Sequence, residues 1–358
     1  MIRAGIIGGA GYTAGELIRI LLNHPYVRLV FVHSGSNAGN HLYDVHQGII
    51  GDTDLTFSSE YDLNSIDVLF LCSGHGKSEA FWKENAMPAG LKVIDLAQDF
   101  RDEHDGYVYG LPECSRDKIL SASRIANPGC FATCIQLALL PLANVGLLCD
   151  EVQVTAVTGS TGAGVKPSNT THFSWRNNNV SAYKVFEHQH LLEINRNLSA
   201  LMRLSEAEAP ADASLCSAPS QAVPPLEPRV AISAGTSAPD SPQPFRINFV
   251  PLRGDFARGI FASVYTSCSL TEEEAINLYK DYYADAAFTF VSARPVDLKD
   301  VVNTNKALLH LEKHGDKLVV TSVIDNLLKG ASGQAVQNMN LIFGLPEDSG
   351  LRLKASAF

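Results

Sequence analysis

The stretch that most restricts how this chain can fold stands at its start. A short apolar strand, Ala4 to Gly8, runs straight into Gly8-Gly9-Ala10-Gly11-Tyr12-Thr13-Ala14, then a helical segment, then a second apolar run, Val27 to His33. In Ala14-Gly15-Glu16-Leu17-Ile18-Arg19-Ile20-Leu21-Leu22 the apolar positions share one helical face. Strand, glycine turn, helix and strand make a βαβ unit, the opening of a doubly wound sheet. Two further runs, Val68 to Cys72 and Leu91 to Asp95, are short, apolar and rich in Val, Ile and Leu, and read as buried parallel strands. A parallel α/β domain over residues 1–130 follows.

The turn fits G-x-x-G-x-x-A, with Gly8, Gly11 and Ala14 at the marked places. Glycines permit a tight turn and let the backbone approach a pyrophosphate. The free N–H groups of the first helical turn, around Tyr12 and Thr13, and the helix dipole hold that anion. An acidic residue about 20 positions on normally accepts from the ribose 2′-OH of NAD. Here the second strand ends His33-Ser34-Gly35-Ser36-Asn37, without a carboxylate. The hydroxyls of Ser34 and Ser36 suit a 2′-phosphate, so NADP(H) is the expected cofactor.

After Cys130 the pattern changes. A long apolar helix, about Ala132 to Ala143, precedes strand-like Val152 to Val157, and a second helix is expected near His190 to Met202. Arg246 to Val250, Gly259 to Ser267, Phe288 to Ser292 and Leu318 to Ile324 read as strands, and Thr271 to Tyr283 as a helix. Strands outnumber helices, which predicts an α+β second domain on a mixed or antiparallel sheet. From Ser205 to Pro244 the chain is rich in Ala, Pro and Ser and holds eight of the 17 prolines, an irregular insertion by composition. The apolar run Gly333 to Phe343 is expected to return to the first domain.

A chain of 358 residues accommodates two such domains. Its net charge of −10 and the lack of any Lys/Arg run argue against nucleic acid as a partner. No window approaches about 18 uninterrupted apolar residues and no leader-like stretch is seen, so the expectation is a cytoplasmic chain that does not meet a membrane. Seven cysteines without a C-x-x-C pair suit free thiols in a reducing compartment.

The chemically loudest stretch is Ala126-Asn127-Pro128-Gly129-Cys130-Phe131-Ala132-Thr133. Asn-Pro-Gly is turn chemistry and good helix formers follow, so Cys130 is predicted in the first turn of a helix, where free N–H groups lower a thiol pKa. Cys134, one turn on, is predicted buried and inert. Glu187-His188-Gln189-His190, with Glu193 a turn beyond, offers either His188 or His190 as proton carrier for a thiol nucleophile. No third ligand accompanies the two histidines, so no metal site is expected. Gly159-Ser160-Thr161-Gly162-Ala163-Gly164-Val165-Lys166 supplies hydroxyls, flexible backbone and a cation suited to an oxyanion.

Together these stretches resemble the N-acetyl-gamma-glutamyl-phosphate reductase family and its semialdehyde dehydrogenase relatives. The resemblance covers most of the chain. It includes Gly11-Tyr12-Thr13 with Gly15-Glu16-Leu17, Val93-Ile94-Asp95-Leu96 with Asp99-Phe100-Arg101, and Tyr109-Gly110-Leu111-Pro112-Glu113. Asn127-Pro128-Gly129-Cys130, His188-Gln189-His190 with Glu193-Ile194, and the run Asp325 to Asn340 belong to it as well. It implies a Rossmann-type domain over 1–130, rejoined by the C-terminal segment 326–358, and a catalytic domain over 131–325. It further implies Cys130 as nucleophile, the His188/His190 pair as acid/base, and an acyl phosphate and inorganic phosphate as small-molecule partners. Cofactor contacts are implied at Ser73, Gly74, Asn326, Lys329 and Gly330, and substrate contacts at Arg101, Asn127, Ser160, Gly162, Lys166, Glu193 and Arg258. A homo-oligomer, dimer or tetramer, is expected. The implied reaction is NADPH-dependent reduction of N-acetyl-gamma-glutamyl phosphate in arginine biosynthesis; an aspartate-semialdehyde type of enzyme and a non-catalytic NADP sensor are the alternatives. Where the family pattern leads one to expect Pro-His-Leu, this chain reads Val250-Pro251-Leu252-Arg253-Gly254.

Overall fold

The computed structural model describes residues 1–208 and 245–356. Six parallel strands form the first sheet: β1 (Ile2–Ile7), β2 (Val27–His33), β3 (Val68–Leu71), β4 (Lys92–Asp95), β5 (Val108–Tyr109) and β6 (Arg124–Ala126), in the order β2-β1-β3-β4-β6-β5. The chain steps to one side of β1 and then to the other. That reversal opens a crevice at the carboxyl ends of β1 and β3, the place where such sheets bind ligands. β3 is buried along its whole length, as expected of a strand covered on both faces. Helices α1 (Tyr12–Leu22), α2 (Leu42–Val45), α3 (Ser78–Glu84) and α4 (Pro112–Ser121) belong to this half. On one face Leu17, Ile18 and Leu21 of α1 join Ile6, Val68, Phe70 and Ile94; on the other Leu69, Val93, Phe100 and Tyr107 gather.

α5 (Cys130–Asn144) leaves the end of β6 and carries the chain into the second half; thirteen consecutive residues, Phe131 to Ala143, are buried. A helix apolar all round belongs in an interior. Pro141 within it deprives the Leu137 carbonyl of its usual helical donor, and the Tyr283 hydroxyl donates to that oxygen at 2.6 Å. The second sheet contains β7 (Asp150–Thr158), β8 (Ser181–Ala182), β9 (Phe245–Arg253), β10 (Ile260–Ser267), β11 (Thr289–Val291), β12 (Ala307–His314) and β13 (Lys317–Ile324). Its order is β11-β12-β13-β10-β7-β9-β8, and parallel and antiparallel pairs are mixed. Alternate residues of β9 point inward, Phe245, Ile247 and Phe249, onto a core shared with α5. α6 (Phe173–Arg176), α7 (His190–Glu208) and α8 (Glu272–Tyr282) flank or cap this sheet. α7 outruns its expected end at Met202 and absorbs the first residues of the predicted insertion; from residue 209 to 244 the insertion lies outside the described residues.

After β13 the chain turns through Leu328–Ser332, a single π-helical turn, into α9 (Gly333–Ile342). Ala335, Val336 and Met339 of α9 are buried in one cluster with Leu17 and Ile18 of α1. Among the described residues no helix is long and apolar enough to cross a membrane.

Candidate active site

β6 ends at Ala126, and the Asn127 N–H donates to the Asp95 carbonyl at 2.8 Å, extending the sheet by one residue. Gly129 then caps α5 in an extended conformation without any side-chain cap. Cys130 is therefore the first residue of its helix, as the Asn-Pro-Gly turn predicts. Its thiol is not in the thiolate range. Burial pushes it up to about 11, and the N–H of Phe131, the Arg101 charge and its own N–H only partly offset this. The expected lowering is corrected here: helix-start N–H groups do pull in that direction, but desolvation outweighs them. Cys134 is buried, donates to Ser322 and is pushed up to about 12, the inert neighbour anticipated.

The two histidines have different surroundings. A side chain on Gly129 would meet His190 Nε2 at 2.4 Å and an Arg101 nitrogen at 2.7 Å, so both groups close directly on the backbone preceding Cys130. His190 Nδ1 is buried without a hydrogen-bond partner, and burial, helped by the Arg101 and His188 charges, drives this imidazole well below the usual histidine range. His188 lies behind, its ring edge-on to Phe131, Tyr183, His190 and Phe249, pushed down to about 4 by burial and then by Lys184 and Arg253. His190 closes on the backbone just before Cys130, and His188 packs against Phe131 and Tyr183.

Glu193 organises this corner from the first turn of α7. One carboxylate oxygen accepts from Arg101 at 2.9 Å; the other accepts from the Tyr109 hydroxyl at 2.6 Å and the Gly129 N–H at 3.2 Å. Arg101 also donates to the carbonyls of Asn127 (3.0 Å) and Leu96 (3.3 Å). Arg101 and Glu193 thus meet beside Cys130, fully engaged with each other and with the backbone. Charge-assisted bonds of this kind in a buried setting hold geometry firmly. Tyr109 carries no role in the sequence reading; only its place in a family motif points to it.

On the cofactor side, Gly8 has φ +84°, and a Cβ there would strike the backbone of Cys72 and Ser73 at 2.7 Å. Above Gly11 there is open space, and α1 begins with no acidic residue in its first turn. A cradle of bare backbone over an uncapped helix start fits a pyrophosphate. Tyr12 opens that helix and is exposed, Ala14 is buried, and the Thr13 carbonyl accepts from the Ser332 hydroxyl at 2.7 Å. Ser73 and Gly74 follow β3 at the same rim. At the end of β2 the Asn37 amide donates to both the Ser34 and the Ser36 hydroxyl.

The π-helical turn joins these two regions. A Cβ on Gly330 would lie 2.8 Å from the Cys130 Cβ, while Ser332, two residues on, is bonded to Thr13. Asn326 anchors the approach to this turn: its oxygen accepts from the Gly259 N–H at 2.6 Å and its amide donates to Thr161 at 3.1 Å. The Ser160 N–H is bonded to the Phe256 carbonyl, Gly162 follows in the same short 3-10 turn (Ser160–Ala163), and Lys166 stands exposed beyond it.

Several residues with implied ligand contacts are engaged by protein partners. Lys329 is fully buried and paired with Glu113 at 2.8 Å, with Gln334 and Gln337 as further acceptors, an engagement within the protein that the implied cofactor contact did not anticipate. Asn127 is buried, donating to the Ala331 carbonyl and accepting from Asn338, and ties the end of β6 to the turn. Arg258 donates to both oxygens of Asp325 and, at 2.8 Å, to Glu16 of α1; its guanidinium is occupied by protein. In each case a motif shows that a residue type is required without showing whether the requirement is chemical or architectural. Cys72, Cys114, Cys130, Cys134 and Cys268 are free thiols.

Residues 3–122 match the semialdehyde dehydrogenase NAD binding domain, and residues 130–210 with 233–326 match the semialdehyde dehydrogenase dimerisation domain. N-acetyl-gamma-glutamyl-phosphate reductases of Azobacteroides pseudotrichonymphae genomovar. CFP2 and of Phocaeicola vulgatus are each 53% identical to this chain, and one of Flavobacterium johnsoniae is 47% identical. All three matches cover the whole of both chains. Among solved structures, aspartate semialdehyde dehydrogenase II from Vibrio cholerae superposes with a TM-score of 0.68 at 16% identity, covering 96% of this chain and 99% of that one. The Candida albicans aspartate semialdehyde dehydrogenase gives 0.64 at 12% identity, covering 96% and 98%. These two share the fold.

Proposed function

This chain belongs to the semialdehyde dehydrogenase family, with a nicotinamide-binding first half, and from that premise we propose that it reduces N-acetyl-gamma-glutamyl phosphate to the 5-semialdehyde, releasing phosphate, as a step of arginine biosynthesis. The observation that carries the reading is the turn Leu328–Ser332, which touches Cys130 through Gly330 and the dinucleotide turn through Ser332. A reactive thiol and the nicotinamide of a dinucleotide whose pyrophosphate rests on Gly8, Gly11, Tyr12 and Thr13 would share one rim. Full-length identity to named N-acetyl-gamma-glutamyl-phosphate reductases supports the substrate.

The Cys130 sulfur attacks the acyl-phosphate carbonyl carbon as its proton passes to His190. The carbon–oxygen bond to phosphate breaks, and His190 returns the proton to the departing phosphate. A thioester remains on Cys130. A nicotinamide cofactor, held at the Gly8–Thr13 turn, would supply the hydride that takes that carbonyl to the aldehyde oxidation level. The thiohemiacetal on Cys130 then collapses, expelling the sulfur, which recovers a proton from solvent. Expelling the anion first and holding the carbon on a fixed sulfur divides one demanding reaction into two ordered ones. The N–H groups at the start of α5 are the candidates for oxyanion support, with Ser160, Gly162 and Lys166 offering further contacts to the phosphoryl group.

NADP is the preferred cofactor in this reading, because the Ser34 and Ser36 hydroxyls stand at the rim of β2 where a carboxylate would repel a 2′-phosphate. The enzyme acts as a homo-oligomer: the second half matches a dimerisation domain, and Phe173, Trp175 and Val180 leave large apolar side chains exposed. The experiment is phosphate-dependent NADP reduction with N-acetyl-glutamate 5-semialdehyde, run beside aspartate semialdehyde. Turnover confined to the glutamate compound supports the proposal; preference for the aspartate compound overturns it.

A further inference from the structure

Arg253 ends β9, where its neighbours in register are Thr158 of β7, just ahead of the Ser160 turn, and Ser181 of β8. It falls within the stretch where the family pattern leads one to expect Pro-His-Leu. Its backbone is fixed by those strands, and its carbonyl accepts from Arg176 at 2.6 Å. The side chain is half-buried, with its guanidinium carbon 4.7 Å from the centre of the Tyr183 ring. Nε is buried and has no hydrogen-bond partner.

Several other buried or half-buried arginines of the described residues meet carboxylates. Arg101 meets Glu193, Arg246 meets Glu151, and Arg258 meets Asp325 and Glu16. Among the described residues Arg253 has no carboxylate partner, and the nearby Asp255 is engaged with the Asn178 N–H. Lys184 and Arg253 both act on His188. The site is near the chemistry, since a thiolate at Cys130 would raise the Tyr183 phenol. A buried guanidinium N–H without an acceptor is rare in folded proteins, and a planar donor fork is the usual receiver of carboxylate and phosphate.

We propose that Arg253 is an anion-binding residue of the substrate pocket, stacked on Tyr183 and receiving an oxyanion of the bound substrate, either its carboxylate or its phosphoryl group. This rests on the reaction proposed above. Its test uses the full-length protein with Arg253→Leu, Arg253→Gln and Arg253→Lys. In the phosphate-dependent reverse assay, KM for the semialdehyde and KM for inorganic phosphate are measured separately. Arg253→Leu and Arg253→Gln are expected to raise one of them about tenfold or more, with NADPH affinity unchanged and Arg253→Lys recovering part of the loss. A raised semialdehyde KM identifies the carboxylate as the partner; a raised phosphate KM identifies the phosphoryl group.

Calorimetric titration with N-acetylglutamate and with inorganic phosphate provides a readout that needs no turnover. If the parent protein turns over no N-acetylated glutamyl substrate, the proposed reaction fails, while the titration still decides the role of Arg253. The proposal is overturned if neither constant moves by more than about twofold in variants that melt like the parent, or if the parent binds neither anion.

Discussion

Gly330 and Cys130 lie so close that a methyl group added to the glycine would sit 2.8 Å from the Cys130 Cβ. The Asp325 carbonyl, 3.3 Å from the same point, closes the other side. Gly330→Ala must therefore displace either the nucleophile or the turn that faces it. We expect kcat to fall by about tenfold to a hundredfold through lost alignment, with stability lower by about 1–3 kcal/mol from overpacking. Steady-state kinetics and urea titration measure the two. Unchanged kcat would show that the thiol does not depend on this contact.

Cys130→Ser removes the sulfur while retaining the volume of the helix start. Turnover should fall by roughly a thousandfold or more, while NADPH binding and the melting temperature stay near those of the parent. A folded Cys130→Ser protein with near-normal turnover would falsify the covalent scheme.

The free enzyme holds a neutral thiol beside a neutral imidazole at pH 7, because burial raises Cys130 to about 11 and drives His190 well below its ordinary range. Alkylation of Cys130, followed against the Cys130→Ser background, should be slow at pH 7 and accelerate through pH 8 to 10, roughly tenfold per pH unit below the thiol pKa. A rate already at its plateau at pH 7 contradicts that burial.

His188 is pushed down to about 4 in the folded protein, and His190 falls in the same direction. The unfolded chain takes up protons at these residues near the ordinary histidine value, about 6.5. Stability should therefore rise with pH from about 4 to about 6.5 and be lost as pH falls through that window. Melting temperatures across it should fall less steeply for His188→Asn. Equal slopes in parent and variant would remove His188 as a cause.

Lys329 and Glu113 form a fully buried ion pair linking the turn after β13 to the start of α4. Lys329→Met alone should destabilise by about 3–5 kcal/mol by leaving Glu113 unpaired, and the double variant Lys329→Met, Glu113→Leu should recover much of the loss. Denaturant titration of the full cycle decides it. A mild effect of the single variant on stability with a large effect on NADPH affinity would restore Lys329 as a cofactor contact.

Much of this arrangement is legible in the residues themselves. The glycine turn between two apolar runs marks β1, α1 and β2, and Asn127-Pro128-Gly129 marks the start of α5, because backbone geometry there admits few residue types. β12 escapes notice: Ala307-Leu308-Leu309-His310-Leu311-Glu312-Lys313-His314 is rich in helix formers, and only pairing with β13 along its whole length makes it a strand. The roles of Lys329, Asn127 and Arg258 are likewise set by partners far along the chain. A local motif cannot tell a cation awaiting substrate from one already neutralised by Glu113 or Asp325. Arg253 presents the converse case, since its lack of a partner is a property of three dimensions alone.

Arg258 donates to Glu16 on α1 and to Asp325 at the exit of β13, the residue that leads into the turn over Cys130. One guanidinium thereby couples the helix that opens the nucleotide cradle to the peptide that borders the sulfur. Neither can drift alone. A substitution made at Glu16 to alter cofactor preference would register in the reactivity of a thiol it never touches, and modification of that thiol would in turn be felt at the nucleotide's end.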